Sequence, residues 1–441
     1  MKLLALRIWA DVDAVERARI LARSTHKIFE PALMASIGAI YRDVAARGDA
    51  AVADATERHD GVRIALEDLL IDTAHLERAH ASLDPALLDA IRVGIANVRA
   101  FNLAQLDSAP DWRRQIAPGI SVGERMQPIP SAGLFVPCGK GSFPSVLVMI
   151  GTPAVVAGVK DLTVIVPPLP GTDRADPAVL ATAFELGISR VLRANGPAGV
   201  AAAVLGTERV PRVAKIVGPG SPAVTVAQII AQVHGVATNM LCGPSESLII
   251  ADDSADPVRL AADLLNEAEH GADSAAILVT DSRSLAEAVD AEAARQIERL
   301  PAQRVAYARS AVTVFGGAFL FPTLGAAIDF AGEYAPEHVQ IATRDPEGDF
   351  ARLSYAGEVL LGQDTPVSAA NFTIGVPATL PTGGYARING GVTARTFMTS
   401  TSVAHLSAAG LATLAQATLA LADYEGFPAH ANALRIRGLD A

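Results

Sequence analysis

The sequence predicts an α/β protein: two successive open, mainly parallel sheets behind a helical N-terminal part. Three observations support this. Short apolar runs alternate with helical stretches from residue 133 to 217, and again from residue 248 onward. That alternation is the pattern of βαβ units and a parallel sheet. Before residue 110, apolar positions instead recur at three- and four-residue steps, the helix period.

The elements follow in order. Within 32–59, Leu33, Ile37, Ile40, Tyr41 and Val44 form one apolar stripe, and Asp60-Gly61 gives a turn signal. Asp84-Pro85 reads as a helix start, because Asp accepts from the first free N–H groups and Pro lacks one. Leu87 to Leu106 continues that helix. Residues 133–137 predict a strand, followed by a helix to 158, a strand Leu162–Val166 and a helix near 176–187. A strand Val191-Leu192, an Ala-rich helix near 198–206 and a strand Lys215–Val217 complete the first series. In the second, Leu248–Ile250 is a strand and Asp256-Pro257 another helix start. Ala276–Val279 is the next strand and 283–296 the next helix. After residue 381 the chain is Gly-rich, then helical from 403 to 424.

Composition narrows the function. Of 441 residues, 50% are apolar and 19% charged, enough for a sizeable core and too apolar for a disordered chain. A net charge of -11 without a basic cluster argues against nucleic acid as a partner. Two cysteines, Cys138 and Cys242, cannot form a disulfide framework or a Cys-rich zinc site, which fits a reducing, cytoplasmic setting. Residues 141–159 are uncharged and approach bilayer-spanning length, but Pro144, Gly151, Pro153 and Gly158 favour a buried helix on a sheet. No membrane partner is expected.

Open α/β sheets bind ligands beyond the carboxyl ends of their strands, which directs attention to the loops that follow strands. Gly139-Lys140-Gly141-Ser142 fits neither the P-loop spacing nor GxGxxG, and reads as a tight turn. Glu267 and His270 are three apart at the end of the helix that starts at Asp256, so they share a face. A carboxylate with an imidazole suits zinc or a similar ion; a solvated helix end is the alternative. Glu337-His338 places two proton-transfer groups side by side before the apolar run Val339–Ala342; an exposed polar loop is the alternative. Glu425 and His430, in the C-terminal segment, carry the same ambiguity.

The blocks become specific in combination. GLFVPCGKGSFPSVLVMIGTPAVVAGVKDLTVIVPP, KIVGPG, LCGPSESLIIADD, ADLLNEAEHGADSAAILVT, YAPEHVQIA, LPTGGYAR and EGFPAHANALRIR occur in this order. Together they closely resemble the histidinol dehydrogenase family, over residues 35–437. The resemblance implies two incomplete Rossmann-like open-sheet domains, a helical N-terminal part and a small C-terminal dimer-spanning domain. Residues 1–130 would pack with 241–380 as the first α/β domain, 131–240 would form the second, nucleotide-side domain, and 381–441 the C-terminal one. It further implies a zinc-dependent homodimer with shared active sites. Such an enzyme oxidises a small-molecule alcohol through the aldehyde to a carboxylate with two molecules of NAD.

Carried over by motif, Glu337 and His338 are the acid/base pair. Glu267, His270, Asn371 and His430 are the metal ligands. Ser245, His338 and Glu425 contact substrate, with Glu425 and His430 entering from the other subunit. Phe135 is expected on the cofactor side.

The sequence also departs from the family pattern. The family has Gln where Glu267 stands and Asp where Asn371 stands, so acid and amide are exchanged and the ligand charge is kept. Phe135 replaces a usual Tyr, and Ala198 and Ser221 replace polar contacts to NAD. Val367 replaces a Glu near the substrate and Ala378 a His close by. These changes imply a divergent member acting on a different alcohol, such as another amino alcohol or a sulfonated diol. A non-redox zinc enzyme or a binding protein on the same scaffold is the alternative.

Overall fold

The computed structural model describes residues 3–4, 6–23, 30–108, 110–139, 141–240 and 243–439. Lys140 and Cys242, named above, lie outside them. The chain forms two compact units: residues 1–103 with 130–397, and residues 104–129 with 398–441.

In chain order the strands are β1 (Leu6–Ile8), β2 (Leu70–Ile71), β3 (Trp112–Ala117), β4 (Ile120–Pro128) and β5 (Ser131–Phe135). Then come β6 (Asp161–Val166), β7 (Arg190–Arg193), β8 (Lys215–Val217), β9 (Ala237–Thr238) and β10 (Glu246–Ala251). The last are β11 (Ala275–Thr280), β12 (Gly317–Leu320), β13 (His338–Ala342), β14 (Glu358–Leu361) and β15 (Met398–Leu406).

The larger unit holds two open sheets, as the alternation predicted. One has the order β1-β12-β11-β10-β13-β14, every pair parallel. The other has the order β2-β7-β6-β5-β8-β9, parallel except for β2 against β7. In the first sheet, residues alternate between two cores. Ile249, Ala251 and Leu278 pack under helices Pro257–Ala268 and Arg283–Gln296. Leu248, Ile250, Ile277 and Ile341 pack under helix Leu324–Tyr334. Both faces are covered, which is why these strands read as unbroken apolar runs. Each fully buried Ile or Leu contributes roughly 1.5–3 kcal/mol.

The N-terminal part does not behave as one block. Helix Pro31–Arg47 packs on helices Gly196–Leu205 and Pro222–Val233, and helix Thr73–Ser82 on helix Pro177–Glu185. Ile37, Tyr41 and Val52 join a core with Leu192, Ala201 and Ile216. These elements therefore belong with residues 131–240, not with 241–380 as expected; β1, beside β12, follows the expected assignment. The apolar stripe of 32–59 is two helices, Pro31–Arg47 and Asp49–Asp60, divided at Gly48, whose φ is +55°. Residues 144–157 form the buried helix anticipated for the uncharged stretch. Among the described residues, no helix is long and apolar enough to cross a membrane.

The smaller unit is an antiparallel sheet, β15-β4-β3, with helices Ala408–Tyr424 and Pro428–Arg435. Two expectations change here. Residues 403–406 are strand rather than helix, paired with β4 from Val403↔Gly123 to Leu406↔Ile120. The C-terminal domain also takes in residues 104–129 and begins at 398 rather than 381.

Candidate active site

The expected acid/base pair lies at the amino end of β13, not beyond a carboxyl end. Helix Leu324–Tyr334 ends on Ala335, which adopts a left-handed conformation with φ +48°. Pro336 follows, and Glu337 and His338 then enter the sheet with their side chains buried. A non-glycine residue in this region costs about 1–2 kcal/mol. The surrounding packing holds it there.

Strand and helix periods bring the remaining groups together. In the first sheet, His338 lies in register between Ser247 of β10 and Glu358 of β14. Two residues on, the Gln340 amide donates to Asp263 Oδ2 of helix Pro257–Ala268, at 2.9 Å. That helix returns toward the amino edge, and Glu267 lies one turn beyond Asp263. Asp256 caps the helix start by accepting from the Val258 N–H at 2.8 Å. Helix Val367–Phe372 packs against it, and Asn371 Nδ2 donates to Glu267 Oε1 at 2.9 Å.

His338 Nδ1 lies 2.6 Å from Glu358 Oε1, while its Nε2 is 3.8 Å from Glu337 Oε1. Glu337 Oε2 accepts from the backbone N–H of Glu246 at 3.0 Å. Glu246 accepts in turn from the Gly383 N–H at 2.7 Å and is paired with Arg23, Nε to Oε1 2.9 Å. The Gly243 N–H donates to Thr382 Oγ1 at 2.5 Å. The blocks GPSE, APEH and LPTGG, far apart in sequence, therefore meet at one sheet edge.

Burial and neighbouring charge tune these groups. Burial raises the Glu337 carboxyl to about 8; His338 works against this, and Glu267 and Glu246 add to it. Burial alone would lower His338, but Glu337, Glu358 and Glu267 outweigh it and push the imidazole up to about 10. Burial also opposes the charge of Glu267, yet His270, His338 and the Asn371 and Asn266 amides hold it below the usual carboxylate range. Glu246, Glu267, Glu337 and Glu358 are all buried, as are Arg23 and His338.

The expected metal ligands fall in both units. Glu267 is 1% exposed, its Oε2 is 3.7 Å from His270 Nδ1, and Asn371 completes a carboxylate–imidazole–amide set. Among the described residues, no group of three or more His, Cys, Asp or Glu side chains is arranged to hold a metal by itself. The donor set fits zinc nonetheless, because the buried Glu267 is kept ionised and oxygen and nitrogen donors adjoin. His430 is exposed in helix Pro428–Arg435 of the smaller unit, and exposed Glu425 caps helix Ala408–Tyr424 there.

Ser245 immediately precedes β10, and its carbonyl accepts from the Ala275 N–H at 2.9 Å. Phe135 does end β5, at a carboxyl edge, but its ring is only 2% exposed. A Cβ added at Gly196 or Gly220 would meet that ring at 3.2–3.3 Å. The ring packs within the core with Ile165, Leu192 and Val224. Ala198 is fully buried, Ser221 is exposed at a helix N-cap, and Val367 is buried against Leu360 and Ala370.

Three residues of this edge escaped the sequence reading: Arg23, Glu246 and Glu358. The readable signal was a Glu beside or within an apolar strand, in GPSESLII and AGEVLL. Such a side chain is rarely buried unless paired.

Fold and site define an α/β enzyme with a buried carboxylate–imidazole couple. The sequence profile described as histidinol dehydrogenase matches residues 23–438. Histidinol dehydrogenase of Synechocystis sp. is 39% identical over 90% of this chain and 91% of that protein. A histidinol dehydrogenase homolog of Colwellia psychrerythraea is 36% identical over 96% and 94%. The crystal structure of histidinol dehydrogenase from Elizabethkingia anophelis superposes with a TM-score of 0.92 at 30% identity, covering 99% of this chain and 98% of that one. The chain belongs to the histidinol dehydrogenase family. It is thus an NAD-dependent oxidoreductase acting on an alcohol via the aldehyde, in a family that uses NAD and Zn2+.

Proposed function

We propose that this protein is a zinc-dependent alcohol dehydrogenase that oxidises a primary alcohol other than histidinol to the carboxylate. The observation that carries the reading is the meeting of Glu337, His338, Glu267, His270 and Asn371 at the amino edge of one sheet. Zinc, held by Glu267, His270, Asn371 and His430, supplies a Lewis acid, and NAD the hydride acceptor. Bound zinc would offset the carboxylates that hold His338 near 10, and the neutral imidazole takes the hydroxyl proton. Glu337 takes a proton from the water that attacks the aldehyde carbon; with a pKa near 8 it is poised for proton transfer near neutrality. Ser245 and Glu425 hold the substrate.

His430 and Glu425 come from a second copy in this reading, so the protein is a homodimer with shared sites. In support, the smaller unit exposes Leu421, Tyr424 and Ile436, at 62%, 91% and 71%. Large apolar side chains grouped on a surface mark an interaction site. The altered substrate is supported by Val367 and Ala378, where the family's carboxylate and imidazole are missing. The test is a zinc-loaded sample screened against a panel of alcohols, following the absorbance of reduced nicotinamide. Activity on histidinol with a kcat/KM above about 10⁴ M⁻¹s⁻¹, an ordinary value for a good enzyme, would sink the altered substrate. A stable monomer in light scattering with full zinc content would sink the shared site.

A further inference from the structure

We infer that Glu358 is the positioning residue of His338: it fixes the imidazole as the Nδ1–H tautomer and leaves Nε2 as the proton acceptor. The inference rests on the reading of His338 as the base for the alcohol.

The argument begins in the sheet. β13 and β14 are parallel neighbours, and His338 pairs in register with Glu358. Paired residues project from the same face, so the two side chains must meet. The strands approach closely because position 357 is glycine: a Cβ there would lie 2.5 Å from the Glu337 carbonyl oxygen. The Glu358 N–H then donates to that carbonyl at 2.9 Å, which locks the register beside the imidazole.

The contact itself is short, Nδ1 to Oε1 2.6 Å, between side chains 3% and 6% exposed. An ionised carboxylate accepts hydrogen bonds and cannot donate, so the proton of this bond lies on Nδ1. A neutral imidazole then has its lone pair on Nε2. Glu358 has no competing role in the described residues: its Oε2 is buried and makes no hydrogen bond there. Burying a carboxylate in a parallel strand is costly unless it is paired, and His338 is the partner that offsets the cost. The imidazolium formed on proton abstraction lies against that same carboxylate, as the orienting acid of a hydrolytic triad does for its histidine.

The test uses full-length, zinc-reconstituted protein labelled with ¹⁵N-histidine, with His338→Asn assigning the signals. In the zinc-loaded wild type, where the metal's charge would offset the carboxylates that hold the imidazole near 10, we expect a protonated Nδ1, an unprotonated Nε2 and a strongly downfield exchangeable proton on Nδ1. Glu358→Gln should keep the tautomer and move that proton upfield. Glu358→Leu should shift His338 toward the Nε2–H form. Alcohol oxidation should then lose kcat by about 10–100-fold, the usual loss when a histidine's outer partner is removed, with KM for NAD and zinc content unchanged. Glu358→Asp should recover part of kcat. A wild-type His338 carrying its proton on Nε2, or a tautomer indifferent to Glu358→Leu, would overturn the inference. Should Glu358→Leu not fold, the wild-type tautomer and the Glu358→Gln proton shift decide it. Full activity in His338→Asn would instead remove the base assignment, while the tautomer spectrum would still judge Glu358.

Discussion

Arg23 Nε stands 2.9 Å from Glu246 Oε1, and both side chains are almost wholly excluded from solvent. The guanidinium also lies 3.7 Å over the Tyr334 ring. Removing one member of a buried pair strands the other charge, at about 3–5 kcal/mol, whereas removing both can be nearly neutral. Arg23→Met should therefore cost about that much in denaturant unfolding. The double variant Arg23→Met/Glu246→Gln should regain most of it. Additive losses in the two single variants and the double would show that the charges are not coupled.

Gly357 is a second sensitive position. Its added Cβ would meet backbone, not the flexible end of a side chain, so β13 and β14 must part. Overpacking of this kind costs about 1–3 kcal/mol. Gly357→Ala should lower the melting temperature and reduce alcohol oxidation more than the stability loss explains. Wild-type activity in a folded Gly357→Ala would show that the strand spacing is dispensable.

The two proton-transfer groups should separate by half-reaction. His338→Asn should slow oxidation of the alcohol by about 10²–10⁴-fold, the range for a general base. Glu337→Gln should slow oxidation of an aldehyde substrate more than that of the alcohol. Equal losses in both half-reactions would refute the division of roles.

The exchanged acid and amide predict how metal content responds. One zinc per subunit is expected by elemental analysis. Glu267→Gln deletes the one carboxylate of the proposed ligand set and should lower zinc retention sharply. Glu267→Gln/Asn371→Asp restores the charge and should recover it, with a parallel rise in melting temperature, since binding to the folded chain stabilises it. Equal zinc content in the single and double variants would exclude Glu267 as a ligand.

Much of the larger unit was legible because its signals are local. Apolar runs between Gly and Pro marked β6, β10 and β11, and Asp84 and Asp256 cap the helices that begin there, accepting from the Leu87 and Val258 N–H groups. In the smaller unit the helix ending at Tyr424 was legible and the sheet was not. β3 is mostly exposed and carries no apolar period, and β4 pairs with β15 at Pro128↔Met398, a contact no local pattern encodes. The Glu267/His270 pair could be read as a helix spacing, and the motif resemblance added Asn371. Its meeting with Glu337 depends on the helix returning to the amino edge, whereas the general rule pointed to the carboxyl ends. Phe135 was named by the motif resemblance alone, and no local pattern foretold that Gly196 and Gly220 let the chain close over its ring.

The Gly383 N–H serves the Glu246 carboxylate, and the Glu246 N–H serves that of Glu337. Every residue except proline carries such a donor. The link to Glu337 therefore survives a change of side chain at position 246, whereas the link from Gly383 also needs the Glu246 carboxylate as its acceptor and a backbone at φ +65°. Its signature includes an exclusion: proline at position 246 would remove the donor to Glu337 that an alanine there would keep.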